Sequence, residues 1–212
     1  MIIAMCGYDG KMGSKIYEFL RKKESLFEFV LINQSTNDVF KKIKNVDIVV
    51  DFTNRDFTYN LALFCAKNKT PFVSGTTALT NNELDKINQE FINNSTGAYI
   101  IPNFSKGINI IKKTIPLLKI YDDIYIEETH NISKLDSPSG TSIQLKENFN
   151  KDIKIFSKRK KHYKAIHKIV CQDSYEEFII IHKVINKFAY GDFVLKAINT
   201  VNSFIGLKKE LI

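Results

Sequence analysis

The sequence predicts an α/β chain: a parallel sheet covered on both faces by helices, then a smaller α+β region on a mixed or antiparallel sheet. Three observations carry that expectation. Up to about residue 101, short continuously apolar runs alternate with segments of helical periodicity, the order of a β-α-β parallel sheet. The loops that follow these runs are small or polar, as at Gly7–Gly13, Asp51–Thr53, Gly75–Thr77 and Pro102–Ser105. Open parallel sheets bind ligands at just these carboxyl ends. After Asn103 the strands alternate apolar with polar residues and follow one another with few helices between them.

Residues 2–6 read as a buried strand, and Ile16, Phe19 and Leu20 recur at helical spacing to about Lys23. Phe27–Ile32 and Val46–Val50 are the next two strands. Leu61, Leu63, Phe64 and Cys65 belong to a helix, and Pro71–Ser74 to a fourth strand. Thr80 is placed to cap a helix carrying Leu84, Ile87 and Phe91, before a fifth strand at Ala98–Ile101. Ser105 opens an amphipathic helix in which Pro116 predicts a kink or an early stop. Asp122–Thr129 is a strand, Thr141–Phe149 a helix, and Ala165–Cys171 and Glu177–Ile185 are alternating strands. An amphipathic helix over Ala189–Ile205 is expected to return to the first domain.

Composition narrows the class. With 212 residues and 44% hydrophobic content the chain can form one domain or two small ones sharing a core. The N-terminal MIIAMC is too short for a signal h-region, and no apolar run approaches a membrane span, so a cytoplasmic address is expected. Cys6, Cys65 and Cys171 are odd in number and widely spaced, which indicates neither a disulfide framework nor a thiolate metal site. No paired Cys/His set or H-E-x-x-H is present, so no metal is expected. The net charge of +8 and the run Ser157-Lys-Arg-Lys-Lys-His-Tyr-Lys raise nucleic-acid binding as a reading. Only Arg21, Arg55 and Arg159 are arginine, however, and the lysine excess spreads along the whole chain. His162 and His167 lie in or beside the basic run and are expected in solvent, and His182 is expected to be a satisfied sheet residue.

Two stretches are candidates for chemistry. Gly7-x-x-Gly10-x-x-Gly13 follows a strand and opens a helix, the setting of a dinucleotide loop, although Asp9 stands where the usual second glycine would be. Glycine also serves tight strand-to-helix turns, so the motif alone leaves both readings open. The acid that commonly holds the ribose is replaced by Asn33 and Gln34 at the end of the second strand. Either can bond a ribose hydroxyl and neither rejects a 2′-phosphate, so NADH and NADPH both stay open. The second stretch is EETHNISKLDSPSGTS, Glu127–Ser142. It ends a period-two strand, presents His130 and Lys134, and closes on a turn and helix start whose free N–H groups suit a carboxylate or phosphate. An ordinary capped helix with two surface polar residues fits the same letters.

Taken in order, five motifs resemble those of the dihydrodipicolinate reductases (4-hydroxy-tetrahydrodipicolinate reductases), bacterial enzymes of the diaminopimelate–lysine pathway. They are Gly7-Tyr-Asp-Gly-Lys-Met-Gly, Asp51-Phe-Thr, Gly75-Thr-Thr, Asn103-Phe-Ser-Lys-Gly-Ile-Asn and Glu128-Thr-His-Asn-Ile-Ser-Lys-Leu-Asp-Ser-Pro-Ser-Gly-Thr. The resemblance implies a Rossmann-like nucleotide-binding domain over 1–102 and 187–212, a substrate-binding and oligomerisation domain over 103–186, and a homotetramer. It implies NADH or NADPH as cofactor and a small dicarboxylate substrate, with neither nucleic acid nor membrane as partner. By position it makes His130 the catalytic acid–base and Lys134 the proton donor. Gly140 and Thr141 would hold a substrate carboxylate, with Asn131 and Thr77 facing the same substrate. Gly7, Gly10, Lys11 and Met12 would carry the cofactor pyrophosphate, with Tyr8 and Asp9 of the same loop also counted in the cofactor site beside Asn33 and Gln34. Gly75, Thr76, Thr77, Pro102, Asn103 and Phe104 would flank the nicotinamide, with Phe52 also in the cofactor site and Lys187 close to the cofactor.

The chain also departs from that pattern. Asn131 stands where the family has a second histidine, Ser133 replaces a common basic residue, and the glycine-rich stretch with its Arg-Gly and His is not recognisable between Ser157 and Glu177. Two other readings fit parts of the chain: a related dehydrogenase on another amino or imino acid, and a non-catalytic homologue that binds nucleotide or nucleic acid.

Overall fold

The computed structural model describes residues 1–186 and 188–211. They form two compact units, Met1–Phe104 with the chain from Tyr190 on, and Ser105–Ala189, a division slightly later in the chain than 102 and 187. The strands are β1 (Ile2–Cys6), β2 (Glu28–Ile32), β3 (Ile48–Asp51), β4 (Phe72–Ser74), β5 (Gly97–Ile100), β6 (Asp123–Asn131), β7 (Lys154–Lys160), β8 (Ile166–Gln172), β9 (Glu177–Lys183) and β10 (Gly206–Lys208). The helices are α1 (Gly13–Lys23), α2 (Val39–Lys42), α3 (Arg55–Lys67), α4 (Asn81–Asn93), α5 (Lys106–Leu118), α6 (Gly140–Phe149) and α7 (Gly191–Thr200).

The first unit holds a six-stranded sheet in the order β10-β5-β4-β3-β1-β2, parallel throughout. Period two along β1 sends Ile3 and Met5 to one face, against Ile16 and Leu20 of α1 and Val194 and Ile198 of α7. Ala4 and Cys6 go to the other, against Leu61 and Cys65 of α3 and Ile87 and Phe91 of α4. Both faces are therefore dry, which is why these strands read as unbroken apolar runs. Asn54 caps α3 by accepting from the Phe57 N–H. Thr80 caps α4 as expected, with Glu83 completing a capping box.

The expected helix to Ile205 instead ends at Thr200. A 3-10 turn over Val201–Ser203 then leads into β10, which pairs with β5. Three residues carry no readable periodicity; what holds β10 is remote, the Leu207 N–H donating to Asn88 Oδ1 at 2.8 Å and the Gly206 N–H to the Thr96 carbonyl at 2.9 Å.

The second unit has a four-stranded sheet in the order β7-β6-β8-β9, with β6–β7 parallel and the other pairs antiparallel. Strand β7 takes in the first half of the basic run, as far as Lys160. It reads as a solvated segment because every second residue (Lys154, Phe156, Lys158, Lys160) faces out, while Ile155, Ser157 and Arg159 are partly covered. Lysines on an edge strand also block further pairing. Helix α5 runs through Pro116 but ends two residues later, at Leu118, so the proline comes close to the stop expected of it.

The register explains the core. Ile126 pairs with Ile155 on β7 and Ile169 on β8, and Ile169 with Ile180 on β9, so one row of isoleucines crosses all four strands. Ile108, Ile111 and Ile115 of α5 and Leu145 and Phe149 of α6 close over it. Each such side chain removed from water contributes about 1.5–3 kcal/mol.

Candidate active site

Two residues further along the same face, the isoleucine row gives way to a polar one. Glu128 on β6 pairs with Ser157 on β7 and His167 on β8, and His167 pairs with His182 on β9. His130, the next inward position of β6, lies opposite Arg159. The site is thus the end of the sheet at which the apolar pattern stops. Glu128, His130 and His167 are buried, at 0%, 8% and 4% exposure. His167 was expected in solvent; its burial corrects that expectation and follows from strand pairing, with its ring edge-on to His130 at 5.1 Å and stacked on His182 at 6.1 Å. His162 is exposed. His182 is half-covered and its Nε2 lies 3.1 Å from Ser105 Oγ, but its Nδ1 has no hydrogen-bond partner, so it is only partly the satisfied sheet residue expected. Ser105 itself caps α5, accepting from the Ile108 N–H at 3.4 Å.

Glu128 is the hub. Its carboxylate accepts from the Ser139 N–H at 3.0 and 3.1 Å, from Ser142 Oγ at 2.6 Å and from Arg159 Nη1 at 3.1 Å. Ser139 is also the N-cap of α6, accepting from the Ser142 N–H, so the carboxylate fixes where that helix starts. Arg159 reaches on to the Lys134 carbonyl through Nε at 3.3 Å and to the Asp136 carbonyl through Nη2. Between strand and helix, Asn131 begins a turn by accepting from the Ser133 N–H at 3.0 Å, and Lys134 Nζ pairs with Asp136 at 2.7–2.8 Å. A Cβ placed on Gly140 would meet nothing within 4 Å, so that side of the first turn of α6 is open, while the Gly140 N–H is directed at the Asp136 carboxylate. Neither Glu128 nor Arg159 was assigned a role from sequence. The phase of β6 was the available signal, since Ile124, Ile126, Glu128 and His130 share one face.

These surroundings set the titration. Burial pushes the Glu128 carboxyl up, but the hydrogen bonds from Ser139 and Ser142 outweigh it and hold the group at about 2. Burial lowers His130, with Lys134 and Arg159 adding to the effect and Glu128 and Asp136 opposing it. His167 is brought down to about 4, by burial first and then by the neighbouring imidazoles. The Lys134 ammonium holds the Asp136 carboxyl below its ordinary range. His130 is thus a neutral imidazole at pH 7; its buried Nε2 lies 3.5 Å from Glu128 Oε2 and makes no hydrogen bond.

Among the described residues, Glu128, His130 and His167 bring ligand-type atoms within 4.8 Å of one another, a grouping the linear spacing did not show. The carboxylate of that trio already serves Arg159, Ser139 and Ser142, so its cation is the guanidinium.

In the first unit, the strand order reverses at β1, between β2 and β3, the position where such sheets bind ligands. A cleft of about 630 Å³ opens there, lined by Gly7, Asp9 and Gly10, by Asn33, Gln34 and Ser35, and by Phe52, Thr53, Asn54 and Phe57. Gly7 has φ +74, and a Cβ on it would lie 2.6 Å from the Phe52 carbonyl oxygen. A Cβ on Gly13 would collide with the Gly7 carbonyl, so these glycines are required by the turn itself. Asn33 donates through Nδ2 to Asp9 at 3.1 Å and accepts from Ser35 and Thr36, which ties the glycine loop to the end of β2. Asp51, wholly buried, accepts from the hydroxyls of Thr53, Thr58, Ser74 and Thr76 and so draws the β3 and β4 ends together. Thr76 is spent on that role. Gly75 leaves room for the Phe52 ring, and Phe104 is a core residue with its ring 6.1 Å from that of Phe52. Bare loop backbone and a cleft of this size fit a dinucleotide. Lys187 lies outside the described residues.

Family models described as the N-terminus and the C-terminus of dihydrodipicolinate reductase match residues 1–104 and 107–211. A 4-hydroxy-tetrahydrodipicolinate reductase of Buchnera aphidicola subsp. Cinara cedri is 32% identical over 89% of this chain and 77% of its own. One from Christiangramia forsetii is 28% identical over 92% and 90%. Among solved structures, a dipicolinate-bound dihydrodipicolinate reductase from Paenisporosarcina sp. TG-14 shares the fold, with a TM-score of 0.85 at 20% identity over 100% of this chain and 98% of that one. Two family models that together span nearly all of the sequence, and a relative this similar over most of both lengths, lead to one conclusion: the chain belongs to the dihydrodipicolinate reductase family.

Proposed function

We propose that this chain reduces 4-hydroxy-tetrahydrodipicolinate to tetrahydrodipicolinate, in diaminopimelate and lysine biosynthesis, with Lys134 and His130 handling protons. The observation that carries the reading is the polar end of the second sheet, where a buried neutral imidazole and a paired ammonium lie on a strand and loop tied to an open helix N-terminus. NADH or NADPH, when bound, supplies the hydride. Gly7–Met12 offer backbone to the pyrophosphate, and Asn33 and Gln34 border the ribose end of the cleft. Gly75 to Thr77 and Pro102 to Phe104, which follow the ends of β4 and β5, flank the nicotinamide.

On the substrate side, the N–H groups at Gly140 and Thr141 bind one carboxylate, helped by the partial positive charge of α6. Lys134 neutralises the electron-rich ring that reduction leaves and delivers its proton. His130, neutral beforehand, takes up a proton as the dianionic substrate approaches and raises its basicity. Asn131 contributes by shaping the turn ahead of Lys134.

The outward face of the second sheet exposes Phe156, Ile179 and Ile181 at 48%, 37% and 63%, and a second copy of the chain covering it accords with a homo-oligomer, a tetramer by family pattern. No helix among the described residues is long and apolar enough to cross a membrane, and the reading places the chain in the cytoplasm.

Steady-state oxidation of NADH and of NADPH, each with freshly generated substrate, tests the reading. Turnover is expected, with kcat in Lys134→Ala lowered about 10²–10⁴-fold and nucleotide affinity nearly unchanged. Wild-type turnover in Lys134→Ala would remove the lysine from its role, and no turnover in the wild type would remove the activity.

A further inference from the structure

We propose that Arg159 and Glu128 are positioning residues for this reaction, a partly buried ion pair that holds the Lys134 loop and the first turn of α6 against the strand carrying His130. The proposal rests on the reading above and deepens it. Arg159 sits on β7 opposite His130, and its fork divides between Glu128 Oε1 and backbone carbonyls, of which those of Lys134 and Asp136 belong to the loop. Glu128 grips the far end of the same segment through the Ser139 N–H and Ser142 Oγ. Both ends of the excursion from Lys134 to Ser142 therefore meet at one carboxylate–guanidinium contact, whose carboxylate is fully buried.

Neither group has the capacity of a reacting one. The Glu128 oxygens are taken by protein donors, and Arg159 spends its N–H groups on Glu128 and on the carbonyls of Lys134, Asp136 and Lys158. What the pair governs is where two reacting elements stand. A lysine at 159 would keep the charge but could not serve three separated acceptors, because its ammonium is a point where the guanidinium is a planar fork. Geometry and charge are therefore separable. Arg159→Lys disturbs the first alone, while Arg159→Met also removes a positive neighbour of His130, leaving Glu128, Asp136, Lys134 and His167 as the titratable groups around that ring, with His182 stacked on His167.

The full chain is compared with Arg159→Lys, Arg159→Met and Glu128→Gln by hydrogen exchange and by kinetics. Glu128→Gln keeps the shape of the side chain and its acceptor toward Ser139, so it serves if the Met variant does not fold. We expect amides in residues 132–142 to exchange about tenfold faster or more, with residues 123–127 unchanged, as the latch opens locally. kcat falls about tenfold or more while KM for the nucleotide stays within about twofold, since misplacement of a reacting group is costly. Arg159→Lys retains the wild-type pH profile, and Arg159→Met moves the limb belonging to His130 upward in pH. Wild-type exchange in residues 132–142 of the folded variants would overturn the latch whether or not the wild type turns over. Faster exchange with unchanged kcat would overturn its part in the reaction. A wild type that opens and closes as described yet never reduces the substrate would instead sink the functional reading alone.

Discussion

At Gly140 a substitution can be read without the usual ambiguity between folding and binding. Because a Cβ there meets no protein atom within 4 Å, Gly140→Ala has nothing to displace in the fold. It sits in the first turn of α6, where alanine is a better helix former than glycine. The melting temperature is therefore expected to hold or rise slightly, while KM for the dicarboxylate rises about tenfold or more as the methyl occupies the approach to the N–H groups. Calorimetry and kinetics on one sample check both halves; an unchanged KM would remove this helix start from the substrate site. His167 shows the opposite relation between sequence and role. Nothing within a few residues of it announces burial, which is created by Glu128 from β6 on one side and His182 from β9 on the other.

Elements differ in how far their own residues announce them. Strands β1 to β5 of the first sheet are self-evident because both faces are dry, and α4 announces itself through Thr80 and Glu83. Strand β7 and strand β10 were missed for different physical reasons. KIFSKRK hides a strand because the inward set is one isoleucine, one serine and one arginine, while GLK is too short to have a period at all. Of the candidate site, the loops at the strand and helix ends were legible as turns and caps, since glycines and caps are local devices. The carboxylates that hold those loops, Asp51 and Glu128, were not, because their partners come from distant segments. The loop between β1 and α1 allows a direct test of such packing. A Cβ on Gly13 would overlap the Gly7 carbonyl, so Gly13→Ala is expected to cost about 1–3 kcal/mol and to weaken NADH binding as the loop is forced open. Chemical denaturation and nucleotide titration measure the two effects.

Over the whole molecule, these buried groups shape the response to acid. His167 falls from an ordinary 6.5 to about 4 on folding, so the unfolded chain binds its proton first. The stability this represents is fully present above about pH 6.5 and is lost as pH falls toward 4, on the order of 3 kcal/mol for a group this buried. His130 and His182, both lowered by burial, act in the same direction. Glu128, held at about 2 against an ordinary 4.5, adds a second loss that begins below about pH 4.5. Thermal melts across pH 7 to 3.5 should therefore decline in two stages. His167→Gln, which has no charge to gain, should flatten the first stage, and an unaltered slope would show that the imidazole is not buried neutral. The two units also share one method of construction: each gathers its candidate site loops on a single buried carboxylate, Asp51 through hydroxyls and Glu128 through hydroxyl, amide and guanidinium.

The alternation along β6 has one more consequence, for ancestry. Ile124, Ile126, Glu128 and His130 reach the covered face only because even steps separate them. Losing or gaining one codon between Ile126 and Glu128 would turn Glu128 and His130 toward the opposite side in a single event and bring the neighbours of each inward. Lineages can therefore lengthen or shorten this strand near its end only in pairs, or by absorbing the odd residue in a bulge. A relative whose histidine is displaced by one place should carry such a bulge in the equivalent strand.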